Sequence, residues 1–157
     1  MESIFDVSTL YQVAEVQLIY KSKVKASNRP VINRAKDAYD VFMQTWDKNK
    51  IEFVEQFKIL LLNKANKVLG LYEVSTGGIS GTIADPKLIF MAALKTNCCS
   101  IIVCHNHPSG TLKPSRQDEE LTQKIKQGGQ FLDIKVLDHL IITGTEGYLS
   151  FADEGLI

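Results

Sequence analysis

From Cys99 to Cys104 the chain runs apolar through Ile101-Ile102-Val103 and turns polar at once at His105-Asn106-His107. A run this short and apolar suits a central strand covered on both faces, and such strands lie in sheets flanked by helices. The patterns on either side agree. Ala35, Ala38, Phe42 and Trp46 recur at helical spacing, with Asn33 placed to cap, and Tyr39 joins Phe42 and Trp46 at the core or its edge. Phe53 to Leu62 reads as a strand, Asn63 to Asn66 as a turn, and Val68 to Val74 as the hairpin partner. Asp85-Pro86 offers an N-cap and a first-turn proline for a helix to about Thr96. A further helix is predicted from Arg116 to Gln127, stopped by Gly128-Gly129. Ile134 to Ile142 and Tyr148 to Phe151 read as strands around a turn at Gly144 to Gly147. Val13 to Lys21 alternates and predicts one more strand with a buried face. Strands alternating with helices give an α/β class, with one mixed sheet between helices.

Composition narrows the function. The 157 residues, 45% hydrophobic and 23% charged, predict one soluble globular domain over 1–157. Eighteen basic and eighteen acidic side chains cancel, which argues against a protein whose main task is gripping phosphate backbones. Lys21, Lys23, Lys25, Arg29, Arg34 and Lys36 form an acid-free basic stretch, read as a solvated edge and loop. Lys124 and Lys126 read as solvated helix surface. No apolar stretch approaches the ~20 residues that span a bilayer, and Met1-Glu2-Ser3 opens no export leader. Cys98, Cys99 and Cys104 are odd in number and close together, so reduced thiols and a cytoplasmic location are expected, with core packing as their role.

The chemistry concentrates in His105-Asn106-His107-Pro108-Ser109-Gly110 and Pro114-Ser115-Arg116-Gln117-Asp118. Two histidines at i and i+2 after a strand point to one side if extended geometry continues. With a carboxylate they form a ligand set for Zn²⁺, and three protein ligands leave one tetrahedral position open, as in catalytic sites. Asp118 has a second reading, since Ser115-x-x-Asp118 also resembles a capping box; the two are compatible, and spacing does not choose between them. His139, beside Asp138, either supports the site from behind or is a satisfied core histidine, with the latter preferred. Zinc deaminases need His-x-Glu and Pro-Cys-x-x-Cys, which this chain lacks, and His-Glu-x-x-His is missing too.

The spacing His105-x-His107, seven residues, Ser115, two residues, Asp118 resembles the JAMM (MPN-plus) metalloprotease motif. Its setting, His-Asn-His-Pro-Ser-Gly through Pro-Ser-x-x-Asp to Asp138-His139-Leu140-Ile141-Ile142, is similar to the bacterial RadC family, densely from Glu55 to Phe151 and more loosely from Val31 to Trp46. The resemblance implies a cytidine-deaminase-like α/β/α sandwich. It also implies a strand-borne glutamate as general acid/base, for which Glu55 aligns best and Glu52 second. Longer RadC proteins carry an N-terminal helix-hairpin-helix module, for which this chain lacks room; compact forms resemble those of mobile elements.

The activity implied is hydrolysis of a peptide or isopeptide bond, with zinc on His105, His107 and Asp118, and Ser115 donating to the oxyanion. Gly77 to Thr82 resembles the segment flanking the family's cleft, and reads either as a plain turn or as an edge that accepts an extended substrate. Two rivals remain open: a DNA-repair-associated or mobile-element-associated module that binds partners or nucleic acid, and a metal-dependent nuclease on the same site. The family's association with DNA repair gains little from a neutral chain with no identifiable reader helix.

Overall fold

The computed structural model describes residues 13–78 and 83–157. A 3₁₀ turn at Ala26–Asn28 leads into α1 (Ala35–Thr45), the hairpin β1 (Gln56–Leu62) and β2 (Val68–Thr76), and α2 (Pro86–Lys95). Next come β3 (Ser100–Asn106), α3 (Arg116–Phe131), β4 (Lys135–Ile142) and the short β5 (Tyr148–Ser150). The five strands form one sheet in the order β2-β1-β3-β4-β5. Only β3 and β4 run parallel, joined by the α3 crossover; the other pairs are antiparallel. The sheet is therefore mixed, as the alternation of elements predicts.

Strand pleating divides the core in two. Phe57, Ile59, Leu61, Ile101 and Val103 face α2 and α3, where they pack on Ile89, Phe90, Ala93 and Ile125. Leu60, Leu62, Ile102, Cys104, Leu140 and Ile142 face α1, meeting Ala38, Phe42 and Trp46. Tyr39, half-buried, stacks on Tyr148 with ring centroids 4.6 Å apart. With both faces covered, β1 and β3 are buried at every position, which is why β3 reads as a continuous apolar run. Cys98 and Cys104 are buried as core residues, whereas Cys99 is exposed. Lys124 lies in solvent and Lys126 is half-buried.

Cys99 thus departs from the core role expected of it, and further sequence expectations need correction. Residues 13–21 form no strand, and Val13, Val16, Leu18 and Ile19 are all more than half exposed. Alternation fixes a face only when a neighbouring strand takes up the backbone groups, and here the segment's anchor is the Tyr20 hydroxyl donating to the Leu69 carbonyl. The basic stretch consequently lines irregular backbone and the start of α1 rather than a strand edge. The helix α1 starts one residue later than Asn33 would have it, because the Asp37 carboxylate reaches back to accept from the N–H groups of Asn33 and Arg34.

The first strand begins at Gln56, not Phe53. The N–H groups of Phe53 and Val54 both turn back to the Lys50 carbonyl, so Glu55 sits on the residue before the strand. Finally, α3 does not stop at Gly128-Gly129 but continues to Phe131. Those glycines answer a packing demand: a Cβ on Gly128 would lie 2.8 Å from a ring carbon of Phe90, and one on Gly129 only 2.3 Å from the Ile134 carbonyl oxygen. Of Gly77 to Thr82, residues 79–82 lie outside the described residues, and Gly77 donates its N–H to the Glu55 carbonyl.

Candidate metal centre

His105 is the sixth residue of β3 and is about 1% exposed, on the same face as Phe57, its partner across the sheet. His107 follows the strand's end, where its N–H donates to the Ile142 carbonyl and keeps the backbone extended beside β4. Extended geometry therefore persists through both histidines and aims them to one side. The chain then turns through Gly110, at φ +84°, and returns to start α3.

Asp118 stands in the first turn of α3, locked by a reciprocal capping box. Its carboxylate accepts from the Ser115 N–H at 2.7 Å, and its own N–H donates to Ser115 Oγ at 3.1 Å. The cap and the approach to the histidines coexist. Asp118 Oδ1 lies 3.2 Å from His105 Nε2, Oδ2 lies 3.6 Å from His107 Nε2, and the two Nε2 atoms are 3.0 Å apart. Donor atoms held about 2.0–2.1 Å from a tetrahedral ion are roughly 3.3 Å from one another, so this spacing and this donor set suit a divalent metal. Among the described residues, His105, His107 and Asp118 are the group of three so gathered.

The carboxylate and the histidines also act on one another electrostatically. Burial pushes the Asp118 carboxyl up, but His105 and His107 against it outweigh burial and hold the group well below the usual carboxylate range. For His107, burial pulls downward, while Asp118, the Thr111 carbonyl and the more distant Glu55 charge together leave its pKa raised.

The remaining predicted residues are placed as follows. Glu55 is half-buried and close enough for its charge to act on His107. It owes its place to Asn106, the residue between the histidines. Asn106 is fully buried; its Oδ1 accepts from the Gln56 N–H at 2.7 Å, and its amide donates to the carbonyls of Ile51 at 2.7 Å and Val54 at 2.8 Å. Glu52 instead has its side chain against Gly144, in the β4–β5 turn. Ser115 is exposed, and because its Oγ accepts in the cap, its O–H is left to donate. Sequence reading did not find Asn106. Its signal was an amide flanked by two candidate ligands at the end of a buried strand, where any side chain on the opposite face must be satisfied internally.

His139 is fully buried, and its ring stacks on Phe151 at 4.5 Å and meets Phe57 edge-on at 5.7 Å. The preferred core reading is incomplete, because its Nε2 lies 2.8 Å from His105 Nδ1 and its Nδ1 lies 2.6 Å from Thr122 Oγ1. Burial above all, and then the neighbouring His105, hold its pKa well below the ordinary histidine value.

A mixed sheet between helices, with His-x-His leaving a central strand and Asp118 opening the next helix, defines a domain of the JAB (JAMM) kind. A family model for the RadC-like JAB domain matches residues 32–156, and the chain belongs to the RadC family. A UPF0758 protein of Flavobacterium johnsoniae is 52% identical over 102 residues, covering 65% of this chain and 44% of its own length. UPF0758 proteins of Syntrophotalea carbinolica and Clostridium beijerinckii are 32% and 35% identical over 150 residues, covering 93% and 96% of this chain. This chain spans 65% and 64% of those two relatives, and less than half of the Flavobacterium protein. Among the described residues, no helix is long and apolar enough to cross a membrane.

Proposed function

We propose that this protein is a zinc-dependent hydrolase acting on an amide bond, of the metallopeptidase or isopeptidase type. One observation carries the reading: two imidazole Nε2 atoms and a carboxylate converge within 3.0 to 3.6 Å of one another at the mouth of a buried strand. His105, His107 and Asp118 would hold the ion, and the acid/base partners stand beside them rather than among them. Bound zinc supplies Lewis acidity, which lowers the pKa of water from about 16 to about 7.

The protein's own groups do the rest. Glu55, an unligated carboxylate within electrostatic reach of His107, takes a proton from the attacking water and returns it to the leaving amine. The Ser115 hydroxyl, its oxygen already committed to the helix cap, directs its proton at the oxyanion that develops on the substrate carbonyl. Asn106 keeps Glu55 in register with the histidine pair through the Gln56 N–H. The substrate is a peptide or protein.

The test is incubation with a peptide library, with and without a chelator. Cleavage that the chelator abolishes and added zinc restores is expected. Metal-dependent nicking of DNA with no peptide cleavage would contradict the proposal and favour the nuclease; binding of DNA-processing proteins with neither activity would favour the partner-binding module.

A further inference from the structure

We infer that Thr122 and His139 are positioning residues, forming a directed hydrogen-bond chain that fixes His105 in the tautomer able to bind a metal. This inference rests on the metal-centre reading above and deepens it, since it concerns how the ligands are prepared.

The direction of the chain follows from a single proton. Thr122 Oγ1 lies 2.6 Å from the Asp118 carbonyl oxygen and 2.6 Å from His139 Nδ1. A carbonyl oxygen has no hydrogen to give, so a contact of that length places the hydroxyl proton between Thr122 and Asp118. A hydroxyl has only one proton. Thr122 must then accept from His139, which puts the ring hydrogen on Nδ1.

His139 is fully buried, its ring stacked on Phe151 and edge-on to Phe57, and the groups at its two nitrogens are Thr122 and His105. With no carboxylate at either nitrogen, an imidazolium there would be a buried, uncompensated charge. Neutral and protonated on Nδ1, the ring presents a lone pair at Nε2. His105 Nδ1, 2.8 Å away, must donate to it. Its Nε2 is thereby left with a lone pair aimed at the position that Asp118 Oδ1 and His107 Nε2 also face.

His107 reaches the same state by a shorter route, its Nδ1 lying 2.8 Å from the Thr111 carbonyl. The two ligands differ in what holds them. A backbone carbonyl can only accept, whereas His139 can act in either sense, and Thr122 decides which. The chain begins at the Asp118 carbonyl, one helical turn before Thr122, and ends facing the carboxylate of the same residue. The start of α3 thus supplies a ligand and also orients the ligand opposite to it.

Removing the threonine hydroxyl releases the constraint. In Thr122→Val, His139 is free to carry its hydrogen on Nε2 and donate to His105 Nδ1, which transfers the His105 hydrogen to Nε2 and blocks the metal position. The side-chain shape is retained, so the core stays filled; His139→Ala, by contrast, opens a hole in it.

The experiment measures zinc affinity by chelator competition for wild type, Thr122→Val and Thr122→Ser. Long-range ¹H–¹⁵N spectra of the metal-free proteins report which nitrogen of His139 carries hydrogen. The expected result is zinc binding about 10- to 100-fold weaker in Thr122→Val and close to wild type in Thr122→Ser, with the His139 hydrogen on Nδ1 in wild type. Equal affinity in all three proteins, or the wild-type hydrogen on Nε2, would overturn the chain while leaving the metal centre standing. A wild-type protein that binds no zinc would overturn both.

Discussion

Asn106 Oδ1 accepts the Gln56 N–H at 2.7 Å, so the residue between the two histidines also holds the backbone next to Glu55. The bond is buried, and the same amide satisfies the Ile51 and Val54 carbonyls. Loss of this side chain leaves three backbone groups to find other partners, at about 1–3 kcal/mol for each one left unsatisfied. Asn106→Ala should therefore destabilise the protein by about 2–4 kcal/mol, since water replaces part of what is lost. Hydrolysis should fall while zinc content stays at the wild-type level. Urea denaturation and metal analysis on the same sample check the two halves; loss of zinc from Asn106→Ala would show that the amide holds the ligands and not the base.

Glu55→Gln keeps the size and polarity of the side chain and removes its ability to take a proton. Zinc binding should be unchanged and the rate should drop by about 10²–10⁴. A Glu55→Gln protein as active as wild type would remove Glu55 from proton transfer and turn attention to Glu52.

Ser115 has two tasks that a pair of variants separates. Ser115→Ala loses the cap acceptor for Asp118 N–H and with it about 1 kcal/mol of stability, together with about 10²–10³ in rate if its hydroxyl serves the oxyanion. Ser115→Thr keeps both groups and should restore both. A Ser115→Ala protein that is less stable but equally fast would leave Ser115 as a cap alone.

The glycines of α3 differ in what surrounds them. At Gly129 an added methyl meets backbone 2.3 Å away, whereas at Gly128 it meets the ring of Phe90, a side chain and not backbone. Gly129→Ala should cost about 1–3 kcal/mol through forced displacement. Gly128→Ala should cost less, because moving the ring is partly offset by up to about 1 kcal/mol of helix propensity. Thermal or urea unfolding ranks the two, and the reverse order would contradict the packing account.

Asp138 supplies the pH dependence. Its carboxylate accepts from the Ser150 hydroxyl and the N–H groups of Ala152 and His139. Burial nonetheless outweighs those bonds and raises its pKa above 3.8. A folded-state pKa above the unfolded one means that protonation favours the native state. The contribution of Asp138 is thus fully present below about 3.8 and lost as pH climbs through the folded pKa. Asp138→Asn removes that slope, so the difference in unfolding free energy between variant and wild type should move in the variant's favour as pH rises across this window. Urea denaturation at several pH values tests it, and a difference that stays constant or moves the other way would contradict the assignment.

Much of the architecture was legible because burial on both faces leaves a period-free apolar signature in β3, and because Asp85-Pro86 and Ser115-x-x-Asp118 announce helix starts. What was not legible depended on neighbours. Val13 to Tyr20 carries a strand's alternation, but whether an edge receives it is a property of the rest of the fold. Gly128-Gly129 reads as a stop because glycine usually ends helices, while here Phe90 and the Ile134 carbonyl require the missing side chains. Within the candidate site, the histidine pair was readable from type and spacing, and Asp118 from the family resemblance. The residues behind them were less so: His139 was readable as one of two alternatives, whereas Asn106 and Thr122 are common residues whose contacts, with the backbone and with His139 respectively, are set in three dimensions.

Metal analysis of protein purified without chelator bears most directly on the central claim, with His105→Ala/His107→Ala prepared in parallel. Close to one zinc per chain in the wild type and none in the double variant is the expected result. Equal zinc in both proteins, or none in either after incubation with the ion, would contradict a metal centre on His105, His107 and Asp118.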